Sequence, residues 1–209
     1  MPPVMSMVFN VSLSFVPEMK CSIIKQTIVL TFLFSSTLTY GQGTYTNSIQ
    51  ESATTLEEKA IGGYVTDFDF SREQLRRGWW EYSRKFGSPI NMKTYYKVKI
   101  PSDYTDGDVD LLIYTKTEAA DQGVTFFLGV AETEFREQAK NLLIDFKRDF
   151  YIKSLIRKVE SKQKEAIQLS ESYHANPVFD ERTKILSRLL EMEKSIETLK
   201  EEIKEIVLN

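Results

Sequence analysis

The residues that could do chemistry in this chain are few and lie far apart. The one histidine is His174 and the one cysteine is Cys21. A zinc site needs several ligands, and a Ser-His-Asp triad needs its two partners, so an isolated histidine supports neither. We therefore predict that His174 is a solvated residue of a loop between two helices. The sequence predicts no catalytic residue, no cofactor and no metal ligand.

Acidic residues cluster in one stretch that resembles a cation-binding loop. These residues are Asp103, Asp106, Asp108 and Asp110. A calcium loop of the EF-hand type that began at Asp106 would need glycine at its sixth position and glutamate at its twelfth. The chain has Leu111 and Thr117 there. We predict a solvated turn at Asp106-Gly107, with an irregular cation site as the alternative.

The chain contains none of the usual nucleophile, phosphate-loop or dinucleotide motifs. Asp67 and Asp69 are two residues apart on a predicted strand, so both side chains should point to the same, solvent-exposed face of the sheet. A hydrolase that uses carboxylates would need two acids that converge in a pocket. The sequence therefore predicts a protein that is not an enzyme.

The beginning of the chain has the pattern of an export signal. Lys20 and Lys25 precede an apolar run over 28–34, and small or polar residues follow it up to Gly41. This order is typical of a cleaved signal peptide. We predict a signal at 19–41, a cut before Gln42, and a periplasmic or secreted mature protein. Residues 1–18 are then a mis-assigned N-terminal extension, since Met19 is a natural start.

Composition limits the partners that the chain can have. The formal net charge of −3 argues against nucleic acid, because phosphate binding needs a basic surface. Cys21 would leave with the signal, so the mature chain would have no disulfide. The apolar run is shorter than the roughly 20 residues that cross a bilayer, and no transmembrane span is predicted in the mature chain.

The mature chain divides into a mixed domain and a helical tail. We predict a loose segment at 42–53, an α+β domain at 54–150 and a helical hairpin at 151–209. The domain should begin with strands at 54–58 and 64–70 around a Gly62-Gly63 turn. Ser71 should cap a helix to about Phe86, since Gln74 completes a capping box. Three further alternating segments precede a long amphipathic helix.

These elements predict the fold class. It is α+β, with a mainly antiparallel sheet of four or five strands, one short and one long helix, and a C-terminal coiled-coil hairpin. The hairpin is predicted from apolar residues at alternating steps of four and three, which are typical of a coiled coil. They are Ile185, Leu189, Met192, Ile196, Leu199, Ile203 and Ile206.

The hairpin is the predicted interaction surface. The residues expected to form it are Leu189, Met192, Ile196, Leu199 and Ile203. Two helices alone rarely bury so much apolar surface, so the expected partner is a second copy or another helical envelope protein. The alternative is a hairpin that folds back onto its own domain, because a heptad pattern does not identify the partner of a helix.

Three aromatic residues of the short helix are candidates for packing or ligand binding. Trp79 and Tyr82 share an apolar stripe, whereas Trp80 should lie at its edge. We expect Trp80 to pack against the root of the hairpin or the N-terminal segment. The alternative is a ligand surface of aromatic and basic residues that includes Arg76 and Arg77.

A resemblance to known proteins supports this architecture. The stretches GGYVTDFDFSREQLRRGWWEYSRKFG, YYKVKIP and VDLLIYTKT precede a long helix and a heptad tail. Together they resemble a loosely defined group of exported Bacteroidetes-type proteins, which pair a small α+β domain containing a W-x-x-Y helix with a C-terminal coiled coil. The matching motif here is Trp79-x-x-Tyr82. The resemblance implies this architecture and no activity.

The sequence thus predicts an exported, non-catalytic interaction or assembly module that acts through its hairpin. The alternative is a binding module that holds a small apolar ligand between sheet and helix. A filled core around Trp79, Phe127 and Phe146 would count against that alternative.

Overall fold

The computed structural model describes residues 45–46, 48–104, 109–121 and 123–208. The predicted signal at 19–41 and the extension at 1–18 lie outside these ranges, as do Asp106 and Asp108 of the acidic stretch. The described chain confirms the α+β class: one antiparallel sheet is covered by helices, and the last two helices form a C-terminal pair. The sheet has six strands, slightly more than predicted.

The sheet combines a hairpin with a four-stranded meander. The strands are β1 (Gln50–Leu56), β2 (Lys59–Phe68), β3 (Ser88–Asn91), β4 (Tyr95–Ile100), β5 (Leu111–Ala120) and β6 (Gly123–Val130). Their order across the sheet is β1-β2-β6-β5-β4-β3. Neighbouring strands are antiparallel, and the hairpin of β1 and β2 joins the meander where β2 pairs with β6.

The first hairpin turns at a different place from the prediction. Glu57 and Glu58 form the turn, with φ of 52° and 62°, and Leu56 pairs with Lys59. The predicted turn residues, Gly62 and Gly63, lie inside β2 instead. A side chain at Gly63 would overlap the backbone of Leu128, so this glycine permits a close approach between strands. β1 also begins within the segment predicted to be loose.

Three helices complete the fold: α1 (Arg72–Ser83), α2 (Arg136–Ala175) and α3 (Phe179–Leu208). The capping box of α1 is present, because the Ser71 side chain accepts from Gln74 N and the Gln74 side chain accepts from Ser71 N. The described helices include none that is long and apolar enough to cross a membrane.

The main core lies between the sheet and the helices α1 and α2. Its centre is aromatic: the ring centroid of Phe146 is 5.0 Å from that of Trp79 and 5.3 Å from that of Phe126. All three side chains have no exposed surface. The first half of α2 therefore belongs to the domain, while its second half extends beyond the sheet and packs against α3.

A smaller core occupies the opposite face of the sheet. Its buried members are Leu56, Ile61, Tyr114 and Phe127. The turn at Glu57 reaches over this face to β4, where Tyr95 Oη donates to Glu57 Oε1 at 2.6 Å. Hydrogen bonds from Tyr95 and Lys97 lower the pKa of Glu57. Since β6 and β5 separate β2 from β4, the sheet must curl to bring these residues together.

Candidate functional site

The hairpin residues predicted to form an interaction surface face α2. Met192, Ile196 and Leu199 are buried, and Leu189 and Ile203 are partly buried. Their neighbours in the core on α2 include Leu155 and Val159. The heptad positions of α3 therefore form the seam between the two helices. Any surface that the hairpin offers to another molecule must be made by other positions.

One side of the hairpin is polar along its length. Arg188 of α3 and Glu165 of α2 form an ion pair across it, with Arg188 Nη2 3.5 Å from a carboxylate oxygen of Glu165. Each of these residues precedes a seam residue by one position. Because the helices run antiparallel, positions that precede the seam on both helices lie on one side. The exposed residues on this polar side include Lys158, Ser161, Gln168, Lys184, Glu191 and Thr198.

The opposite side is apolar near the tip of the hairpin. It is formed by positions that follow the seam residues by one. The large side chains there are Ile167 at 61 % exposure, Phe179 at 79 %, Leu186 at 45 % and Leu190 at 59 %. We call these four residues the distal apolar face. By the same helical periodicity, Ile167 of α2 and Leu186 of α3 both lie on this side of the hairpin.

Two carboxylates border the distal apolar face on the side toward the domain. Glu160 and Glu193 each follow a seam residue by one position, and both are exposed. Within the described part of the chain, neither makes an ion pair. The next residue of this type, Glu197, is paired with Lys200 at 2.6 Å. The border of the distal apolar face is therefore negative.

The aromatic residues of α1 have mainly packing roles. Trp79 is fully buried, and burial raises the pKa of Tyr82 to about 12, helped by Asp145 and Asp149. Trp80 packs on Tyr96 of β4, with ring centroids 5.8 Å apart, and its contact with the hairpin root or the N-terminal segment stays a prediction. Arg76 lies over the same Tyr96 ring, 5.0 Å from its centroid. The aromatic and basic side chains of this surface therefore contact each other.

The remaining sequence candidates are dispersed. His174 is exposed and lies in the last turn of α2, not in the loop, with its ring 5.4 Å from that of Tyr173. Asp67 accepts a hydrogen bond from Thr125 Oγ1 at 2.6 Å. Asp110 is paired with Lys99 at 2.6 Å. Within the described ranges, no three histidine, cysteine or acidic residues are grouped so that they could hold a metal ion.

Lys147 is a buried cation that the sequence did not reveal. It lies on α2 with 1 % of its surface exposed, and its Nζ donates to Thr66 Oγ1 at 2.6 Å. Thr66 in turn donates to the carbonyl of Ser48 at 2.7 Å. Burial lowers the pKa of Lys147 to about 8, although the carboxylates of Asp67 and Asp69 oppose this shift. Tyr45 closes the site on one side, because its ring lies 6.0 Å from Lys147 Nζ and packs on Tyr151.

Comparison with known proteins adds no family to these observations. No protein-family model matches the chain, and no curated protein and no solved structure matches it.

Proposed function

We propose that this chain is an exported, non-catalytic interaction module whose hairpin binds an amphipathic helix of another envelope protein. The supporting observation is the asymmetry of the hairpin. One side is polar throughout, whereas the distal apolar face exposes four large apolar side chains within a short length of helix. Exposed apolar surface with a polar border is typical of sites that contact other proteins.

The two-helix geometry favours a third helix as the occupant. A pair of packed helices offers a groove on each side, and an apolar stripe at helical spacing can lie in such a groove. The groove beside Ile167 and Leu186 is apolar, whereas the groove beside Glu165 and Arg188 is charged. A helix bound in the apolar groove would complete a three-helix bundle.

The acidic residues beside the distal apolar face indicate that the partner helix would carry basic residues. Glu160 and Glu193 border the distal apolar face without an ion pair within the described part of the chain. A partner helix with lysine or arginine beside its apolar stripe would complement them. A second copy of this chain fits less well. In a two-fold arrangement centred on Leu186, Glu193 of each copy would lie opposite Phe179 of the other, since both are seven residues from the centre.

The export part of the proposal depends on the sequence pattern at 19–41, and the Bacteroidetes-type resemblance agrees with it. The alternative function, a small apolar ligand between sheet and helix, has less support. The rings of Trp79, Phe126 and Phe146 are in mutual contact there, and Phe127 lies in the smaller core on the other face.

Site-specific photo-crosslinking in cells that make the protein tests the proposal. A photoreactive phenylalanine analogue at Leu190 should crosslink to a helical peptide that carries lysine or arginine beside an apolar stripe. The same analogue at Thr198, on the polar side, should not. The intact mass of the purified protein should also correspond to a chain that begins at Gln42.

A matched pair of double variants provides the control. Leu186→Glu with Leu190→Glu should abolish the crosslinked complex, while Gln168→Glu with Thr198→Glu adds the same charge to the polar side and should not. A crosslink from position 190 to the chain itself would replace the proposed partner with a second copy. Equal crosslinking from positions 190 and 198 would contradict the assignment of the surface.

A further inference from the structure

A second surface, separate from the hairpin face, has the features of a small-molecule site. It is a cleft of about 520 Å³ between α1 and the back of α2. This volume lies within the range of roughly 300–1,000 Å³ in which proteins bind small ligands. Its walls come from two rigid helices, so the cleft is formed before any ligand arrives.

The floor of the cleft is aromatic. Phe70 and Phe150 meet there edge to face, with centroids 4.9 Å apart. Gly78 of α1 faces this floor, and any side chain at that position would overlap the Phe150 ring. The glycine therefore lets α1 approach the Phe150 ring closely, and both aromatic residues of the floor keep part of their surface exposed.

Two of the cations that the structure describes in the cleft walls are paired with carboxylates. Arg77 Nε pairs with Glu81 at 3.0 Å on α1, and Lys153 Nζ pairs with Asp149 at 2.7 Å on α2. Arg157 is the third cation of the cleft. It makes no ion pair and no hydrogen bond to any residue in the described ranges. Asp149 is shared, because Lys85 Nζ also lies 3.4 Å from it. The cleft therefore has an apolar floor, a net positive charge, and at its edge a cation, Arg157, without an ion pair in the described ranges.

From this arrangement we propose that the cleft binds a small monocarboxylate with an aromatic or aliphatic body. The body would lie on Phe70 and Phe150. The carboxylate would accept two parallel hydrogen bonds from the planar guanidinium of Arg157, the geometry that arginine offers to carboxylates. A single negative charge matches Arg157, the cation of the described cleft lining that has no ion pair. A dianion would bring an excess charge close to Glu81 and Asp149.

Titration of the whole protein with 4-phenylbutyrate, followed by two-dimensional NMR and calorimetry, tests this site. The amide signals of Gly78 and Ser154 should shift with the acid, and they should shift much less with the neutral 4-phenylbutanamide. Arg157→Gln should weaken binding by about tenfold or more, as expected for a charge-assisted hydrogen bond. Lys158→Gln removes the same charge one residue away, on the polar side of the hairpin, and should leave binding unchanged.

Three results would overturn the proposal. These are the absence of saturable shifts at Gly78 and Ser154, an equal loss of affinity in Arg157→Gln and Lys158→Gln, and tighter binding of phenyl phosphate than of 4-phenylbutyrate. None of them bears on the hairpin surface, because α3 does not line the cleft.

Discussion

The sheet domain and the hairpin bury similar residues to very different degrees. In the domain, Phe146 has the sheet on one side and α1 on another, and none of its surface is exposed. In the part of the hairpin nearest its tip, each helix packs on the other helix alone. Ile196 on the seam is 9 % exposed, whereas Leu190, one step round the same helix from the seam, is 59 % exposed.

This difference shows that a third layer decides whether an apolar residue becomes core or surface. A residue in the domain can point in several directions and still find a partner. A residue in a two-helix layer finds one only along the seam. The hairpin has two helices but carries enough apolar residues for contacts with a third element. The apolar residues without such a contact form the distal apolar face.

The largest expected effect is in the aromatic core of the domain. Trp79→Ala should lower the free energy of unfolding by about 3–5 kcal/mol, because it leaves a cavity among packed rings. Trp80→Ala, whose side chain is only partly buried, should cost less than half as much. Urea denaturation of both variants measures this. Equal losses would mean that the adjacent tryptophans have similar surroundings, contrary to the structure.

A smaller effect should separate the two sides of α3. Ile196→Ala should destabilise the hairpin by about 2–3 kcal/mol, since it empties a seam position. Leu190→Ala should change stability by less than about 0.5 kcal/mol, as exposed substitutions usually do. Amide hydrogen exchange along α3 is the measurement. If Leu190→Ala accelerated exchange as much as Ile196→Ala, the distal apolar face would have to be covered in the free protein.

The smallest effect concerns Lys147, and its sign depends on pH. The folded pKa of about 8 lies below the ordinary 10.5, so the unfolded chain binds more protons between these values. Stability of the natural chain should therefore rise from about pH 8 to pH 10.5. Lys147→Met lacks this rise and should be more stable at pH 7, by about 1 kcal/mol after the lost Thr66 hydrogen bond is considered.

Thermal unfolding of both chains from pH 6.5 to 10.5 measures this difference. The groups that face Lys147 are the hydroxyl of Thr66, the carboxylates of Asp67 and Asp69, and the rings of Tyr45 and Phe68. The neighbouring Tyr151 has a pKa raised to about 12 by burial, which lies above this range. Parallel stability curves for the two chains would show that Lys147 keeps its proton in the fold.

The sequence predicted the elements whose signals are local. The Ser71 cap, the α1 stripe through Trp79 and the seam of α3 each depend on spacing within one segment. The long α2 was also predicted, because no proline or glycine interrupts it. These patterns needed no information from the rest of the chain.

The features that were missed depend on contacts between distant segments. Gly62 and Gly63 look like a turn, yet their role is set by β6, which lies more than sixty residues away. Lys147 looks like a surface residue of α2, and contacts with the distant Thr66, Phe68 and Tyr45 make it a core residue. The short edge strand β3 was not predicted; it contains Pro89, which an edge strand tolerates.

The heptad pattern of α3 identified residues that are buried against α2. It did not indicate which side of the hairpin would expose apolar residues. The positions that follow these seam residues by one, which form the distal apolar face, were not predicted to be a surface. Leu186 and Leu190 are apolar residues outside the heptad positions, and such residues are where a surface for another molecule can be sought in a predicted helical pair.

The length of α2 has a mechanical consequence. From Tyr151, the last of its aromatic residues that contacts the sheet core, the helix continues for roughly 36 Å to Ala175. A partner bound near the tip of the hairpin would therefore be held at this distance from the sheet domain. The globular end could rest against one body while the far end engages another, and shortening both helices by whole turns would bring the two bodies closer without altering either contact.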